Sequence, residues 1–236
     1  MTAEANRYPV ALCFSKLGDA RFLGHLDFGR ILERALRRSG LPVRSTQGFN
    51  PRLKVSYAEA LPLGMASEGE WVTLTLDEDL PPATVAEALA PCLPDLVRLR
   101  AVQRGPAPPL SGRASYRLAV VEEHGSAADA LTELLQRDHF PVPDARRGLP
   151  VDARAPLAHG EARDGHLLVE LVAPDDRPPR PGPVVQALRQ LAEQAGRRPP
   201  VFGTITKAGG PARQEGDAWV DDAGADRTRL PAAAGC

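Results

Sequence analysis

A histidine, an amide-rich turn and a run of arginines crowd one stretch near the N-terminus. Residues 22–64 read FLGHLDFGRILERALRRSGLPVRSTQGFNPRLKVSYAEALPLG, with six arginines and one lysine. Between Lys16 and Lys54 nine cations face three anions (Asp19, Asp27 and Glu33), a local excess of +6 in a chain whose net charge is −1. A basic pole is therefore concealed in a neutral whole. Arg30, Arg34, Arg37 and Arg38 fall at i, i+4, i+7 and i+8, one face of a helix. Guanidinium forks along such a face suit phosphates. A solvated outer face would look the same, since arginines are also favoured near a helix C-terminus.

The segment TQGFNPRLK adds a second pattern. Gly48 permits unusual backbone angles, and Asn50-Pro51 signals a turn. Gln47 and Asn50 carry amides able to read base edges, and Arg52 and Lys54 can meet phosphates. Phe49 can stack on a base or anchor the loop. Amide, aromatic and cation in eight residues fit a single-stranded RNA contact, with a plain hairpin loop as the bland alternative. His25 and Asp27 flank Leu26 just before the helix. Asp27 is expected as its N-cap. His25, in the feeding loop, can serve as a general base, contact an anion, or be a hydrogen-bonded structural residue.

His25 has no second histidine or serine nearby to complete a catalytic set, so it is the one candidate base and no catalytic residue is assigned. His124, His139, His159 and His166 are scattered and show no ligand spacing. Cys13, Cys92 and Cys236 form no C-x-x-C pair. Nucleotide-binding glycine loops and the G-x-S-x-G elbow are absent. No metal and no cofactor is expected.

The elements that must position these residues follow from periodicity. YPVALCFS reads as a strand, and the helix begins near Asp27, with Ile31, Leu32, Ala35 and Leu36 as its apolar stripe and Gly40 as its stop. LPVRST reads as a second strand and KVSYAE as a possible edge segment. EWVTLTLDE alternates Trp71, Thr73 and Thr75 against Val72, Leu74 and Leu76. A Pro-opened helix, PPATVAEALAPCL, and the strand DLVRLRAVQ close the unit. The pattern partly recurs after the linker RGPAPPLSG: SYRLAVVEE, AADALTELLQR, VDARAPLA, HLLVELVAP, GPVVQALRQLAEQAG and VFGTITKA. The expected class is α+β, two tandem ferredoxin-like βαββαβ units, the second less regular. The boundaries are residues 8–104, a linker at 105–112, residues 113–207, and a disordered tail at 208–236. The chain has 236 residues, 43% of them hydrophobic, enough for a core. No signal peptide or apolar run of about 18 residues stands out, so no membrane contact and a cytoplasmic location are expected.

The block "F.GHLD…R…RALRRSGLPV…S.GFNP……….LPLG…EG", long and ungapped over about the first hundred residues, resembles the N-terminal core of the radical SAM-linked proteins. The family-like positions are His25, Asp27, Arg30, Arg34, Arg37, Arg38, Gly48, Phe49, Asn50, Pro51, Pro62, Gly64, Glu68 and Gly69. In the second half only FPVPDARRGLPVDARAPLA is similar, through Arg146, Arg147, Asp152 and Arg154. The final strand FGTITKA departs from the arginine-bearing segment expected there. The resemblance implies a companion to a cobalamin-binding radical SAM enzyme. Residues and resemblance together lead to an RNA-binding accessory protein, itself non-catalytic, that presents tRNA or rRNA to that enzyme. The alternatives are a metal-independent endoribonuclease resembling the Cas6 type, with His25 as base, and a module that docks on the radical SAM partner without touching nucleic acid.

Overall fold

The computed structural model describes residues 7–109, 112–144, 148–174 and 179–208, and the backbone of 218–220. It is a mixed α/β structure with four α-helices among the described residues, and its strands pair antiparallel. The chain divides into two compact units, Met1–Pro109 with Gly209–Cys236, and Leu110–Ala208.

Unit 1 runs β1 (Tyr8–Lys16), a 3-10 turn (Gly18–Phe22), α1 (His25–Ser39), β2 (Val55–Tyr57), β3 (Ala66–Leu76), α2 (Pro82–Leu89), and β4 (Arg98–Arg104). Its sheet is ordered β4-β1-β3-β2, and a strand at Ala218–Val220 adds to the outer edge of β4. The alternation expected in β3 holds: Val72, Leu74 and Leu76 are buried, while Trp71, Thr73 and Thr75 are half-buried. They meet Val10, Leu12 and Phe14 of β1, Leu32 and Leu36 of α1, and Leu89 of α2 in one core. Each such side chain removed from water contributes roughly 1.5–3 kcal/mol. Phe14 packs edge-on to Phe28, ring centroids 5.6 Å apart.

Two expectations about α1 need correction. The helix starts at His25, not Asp27, with extended Gly24 as its N-cap and no side-chain cap bond. Asp27 instead lies in the first turn, where its carboxylate complements the helix dipole and pairs with Arg30 at 3.5 Å. At the other end Gly40 takes φ +68°, the left-handed conformation that lets glycine terminate a helix. LPVRST forms no strand of its own and contributes only isolated bridges at Val43 and Ser45.

Unit 2 runs β5 (Arg113–Glu122), α3 (His124–Gln136), β6 (Pro141–Val142), β7 (Val151–Asp152), β8 (Leu157–Arg163), β9 (His166–Val172), α4 (Gly182–Gln194), and β10 (Val201–Ala208). The main sheet is ordered β10-β5-β9-β8, with β6 and β7 paired separately. Leu118, Leu134, Leu171 and Leu188 are fully buried. The strand expected at VDARAPLA is split. Its first two residues form β7, and its end begins β8, which continues through LAHGEAR into a tight turn at Asp164-Gly165. In the segment expected to be a disordered tail, Ala208 belongs to β10 and Ala218–Val220 is a strand; the rest lies outside the described residues, as do Arg146 and Arg147. No described helix is long and apolar enough to cross a membrane.

Candidate nucleic-acid interface and the recess beside it

The chain between α1 and β2 forms an exposed hairpin rooted on the edge of β3. The N–H of Arg44 donates to the Thr75 carbonyl (2.8 Å), and the N–H of Thr75 to the Lys54 carbonyl (3.3 Å). The arms are tied by Lys54 N–H to the Arg44 carbonyl and Thr46 N–H to the Arg52 carbonyl, each 2.7 Å. Arg52 N–H also donates to the Thr46 hydroxyl oxygen at 3.0 Å. These bonds fix the arms and leave Gln47–Pro51 as a projecting tip. Gly48 at the tip has φ +137°, which a residue with a Cβ rarely adopts. Phe49 is 106% exposed, which removes the loop-anchor option. Arg52 and Lys54 are exposed and have no acidic partner among the described residues.

Helix α1 buries Phe28, Leu32, Ala35 and Leu36 and exposes Arg30, Arg34 and Arg37. Arg37 pairs with Glu33 at 2.8 Å, one turn away. Exposed pairs of this kind, like Arg30–Asp27, are worth about 0–1 kcal/mol, so either arginine can exchange its carboxylate for a phosphate at small cost. Arg34 has no acidic partner among the described residues. Arg38 is different: although it is exposed, its guanidinium donates to the backbone carbonyl of Cys92, tying α1 to the turn after α2. The expected stripe of four is therefore three available arginines and one engaged by the protein. No hydrogen bond or ion pair among the described residues joins the α1 arginines to the hairpin tip.

His25 stands at the first position of α1, and its ring packs edge-on to Tyr57 with centroids 4.7 Å apart. Tyr57 in turn stands 6.1 Å from Phe28, and its hydroxyl rests over Gly29, where a Cβ would come within 3.2 Å of it. Beside them is a narrow recess lined in part by Lys16, His25, Tyr57, Glu59, Glu70 and Trp71, with a space of about 20 Å³. That is room for about one water molecule. Lys16 is 7% exposed, and burial holds its ammonium below the usual lysine range, against the upward pull of the Glu70 carboxylate. Burial and the Glu33 charge push the Tyr57 phenol up. His25 has a ring contact but no hydrogen bond among the described residues, so the carboxylate that would orient it as a base is missing there.

Tyr57, Glu59 and Glu70 belong to no motif in the sequence, and Lys16 stands out there only as one of the nine cations. The signal for two of them was strand alternation. Val10, Leu12 and Phe14 lead to Lys16 at spacing two, and Leu76, Leu74 and Val72 lead to Glu70, which pairs with Phe14. Among the described residues no group of three or more His, Cys, Asp or Glu side chains is placed to hold a metal ion.

Residues 10–178 match the model of a family described as "Uncharacterized protein conserved in bacteria (DUF2344)". No curated protein matches the chain. Among solved structures it is similar to one described as "Crystal Structure of an Unknown Protein from Galdieria sulphuraria". The identity is 12%, 86% of this chain and 100% of that chain are covered, and the TM-score is 0.29. That likeness is too slight to bear on fold or function. The family match spans well over half of the sequence, and the chain belongs to this family of conserved bacterial proteins.

Proposed function

We propose that unit 1 binds single-stranded RNA through the hairpin tip, with Gln47, Phe49, Asn50, Arg52 and Lys54 as its contacts and Arg30, Arg34 and Arg37 meeting phosphates. The observation that carries this reading is Phe49, a fully exposed aromatic ring at the tip of a hydrogen-bonded hairpin, flanked in sequence by Gln47 and Asn50 and followed by Arg52 and Lys54. A ring that packs on nothing in its own chain is a stacking platform for a base. The unit does no chemistry in this reading. It is an accessory that presents RNA, with tRNA or rRNA as the class, to a radical SAM enzyme in the cytoplasm. The enzyme partner rests on the sequence resemblance alone. The order first helix between strands one and two, with strands laid out four-one-three-two, supports reading each unit as ferredoxin-like. Fold of itself does not specify RNA as the ligand.

The test is a titration of labelled single-stranded RNA against salt. Affinity should fall steeply with ionic strength, and Phe49→Ala should cost about 1–3 kcal/mol, the worth of one base stacked on an aromatic ring. Salt-independent affinity, or full affinity in Phe49→Ala, would sink the reading. Co-purification with a radical SAM enzyme but no bound RNA would favour a protein-docking role instead.

A further inference from the structure

Unit 2 contains an arrangement that neither its sequence spacing nor the RNA reading called for. His139 Nδ1 lies 2.6 Å from Asp152 Oδ2. An ionised carboxylate only accepts, so Nδ1 carries the hydrogen, and in the neutral imidazole the lone pair is then on Nε2. The other oxygen, Oδ1, accepts the N–H groups of Phe140 and Arg154, each at 2.9 Å. The two oxygens thus divide their work: Oδ1 is locked to backbone beside β6 and β7, and Oδ2 orients an imidazole. Burial alone would push the Asp152 carboxyl up. The two backbone N–H groups and His139 more than reverse that and hold it below its usual value, which keeps it an acceptor.

The pair is not a packing device. The His139 side chain is 66% exposed and Asp152 only 22%, so the anchored partner is the carboxylate and the presented one is the ring. An exposed ion pair contributes little to stability. A largely exposed ring of fixed tautomer, held by an anchored carboxylate, is the base half of a proton-transfer site. His25 lacks this carboxylate.

We propose that His139, oriented by Asp152, is a general base acting on ribose 2′-hydroxyl groups of RNA, giving metal-independent strand cleavage. Nε2 takes the 2′-hydroxyl proton as the 2′-oxygen bonds to the adjacent phosphorus. The bond from phosphorus to the 5′-oxygen breaks, and the 5′-oxygen takes a proton from water. The hydroxide so formed takes the proton from the imidazolium. The products are a 2′,3′-cyclic phosphate and a 5′-hydroxyl end. His139 is the catalytic residue and Asp152 a positioning residue. The inference rests on the reading that the chain binds RNA and adds an activity that reading lacks.

The test uses the full chain with end-labelled single-stranded RNA and a chelator present. Wild type should yield fragments ending in cyclic phosphate, and RNA with 2′-O-methyl groups should stay intact. His139→Ala should lower the single-turnover rate by at least about 100-fold with RNA affinity unchanged. His139→Gln, which can still donate to Asp152, serves as the folded control and should be equally slow. Asp152→Asn should lower the rate but not the affinity, and should alter the pH profile of cleavage, which a purely structural aspartate would not. RNA bound but uncut, or cut equally by His139→Gln, overturns the His139 assignment alone. RNA neither bound nor cut overturns both this inference and the reading of unit 1.

Discussion

The two units share one order of elements but differ in what they insert between their first helix and second main strand. Unit 1 inserts the hairpin through residues 43–54, whose tip projects Phe49 and whose arm carries Arg52 and Lys54. Unit 2 inserts β6 and β7, with Asp152 on β7 and its partner His139 just before β6. The preceding helices differ in the same sense. α1 carries Arg30, Arg34, Arg37 and Arg38, whereas α3 has Asp129 and Glu133 as its charged residues. Sheets and helices follow the same order in both units, and both proposals place their chemistry in the insertions, where loops can change without disturbing the core.

The largest effects should come from breaking the shared scaffold. Phe14→Ala removes a fully buried ring from unit 1 and should cost about 3–5 kcal/mol; Leu118→Ala in unit 2 should cost about 2–5 kcal/mol. Urea unfolding reads both, and a loss below 1 kcal/mol in either would mean that the core is not as packed as described. The next effect separates the insertions. Arg52→Glu with Lys54→Glu should make the slope of log affinity against log salt shallower by about 1.4, two phosphate contacts at about 0.7 each on a single strand. Removing Asp129 on the corresponding helix of unit 2 should leave that slope unchanged.

A smaller effect concerns Lys16. Its folded pKa is below the ordinary 10.5 because burial penalises the charge. Between that lowered value and 10.5 the unfolded chain binds more protons than the folded one, so stability contributed by this site rises with pH across the window. Competitive acetylation with peptide mapping should give Lys16 a titration midpoint below 10.5. The sequence has three lysines, Lys16, Lys54 and Lys207, which makes the assignment simple. A midpoint at or above 10.5 would show that Glu70 outweighs burial.

The sequence made the scaffold legible where periodicity is strong. β3 alternates cleanly, α1 has its stripe and its glycine stop, and the turn at Gly48-Phe49-Asn50-Pro51 announces itself by composition. Short pairing was harder to read. β6 and β7 have two residues each, too few for any period to show, whereas the turn between β8 and β9 is an Asp164-Gly165 pair, a strong hairpin signal. The chemistry that depends on side chains meeting across elements was invisible in spacing. His139 and Asp152 are 13 residues apart, and only the β6–β7 pairing brings them to 2.6 Å. The arginine stripe was legible as a helix face, but nothing in the sequence showed that Arg38 would reach the Cys92 carbonyl.

The smallest expected effect sharpens the comparison most directly, because the two insertions are closed by different chemistry. In unit 1 a neutral hydroxyl, Thr46, accepts the Arg52 N–H. In unit 2 an ionised carboxylate, Asp152, accepts two N–H groups and holds a histidine. Because the folded pKa of Asp152 is lowered, its contribution is present above the ordinary aspartate value of 3.8 and is lost as pH falls through the lower folded value. Protonation weakens charge-assisted bonds worth about 1.5–3 kcal/mol, while the Thr46 hydroxyl does not titrate in that range. Acid should therefore loosen the β6–β7 insertion before the hairpin of unit 1. Amide exchange at Phe140 and Arg154 should accelerate relative to Arg52 as pH drops below 3.8, after correction for intrinsic rates. In Asp152→Asn that acid dependence should disappear while the Arg52 amide stays as in wild type. Parallel acceleration of all three amides would mean that the insertions open with their units and that Asp152 does not close its own.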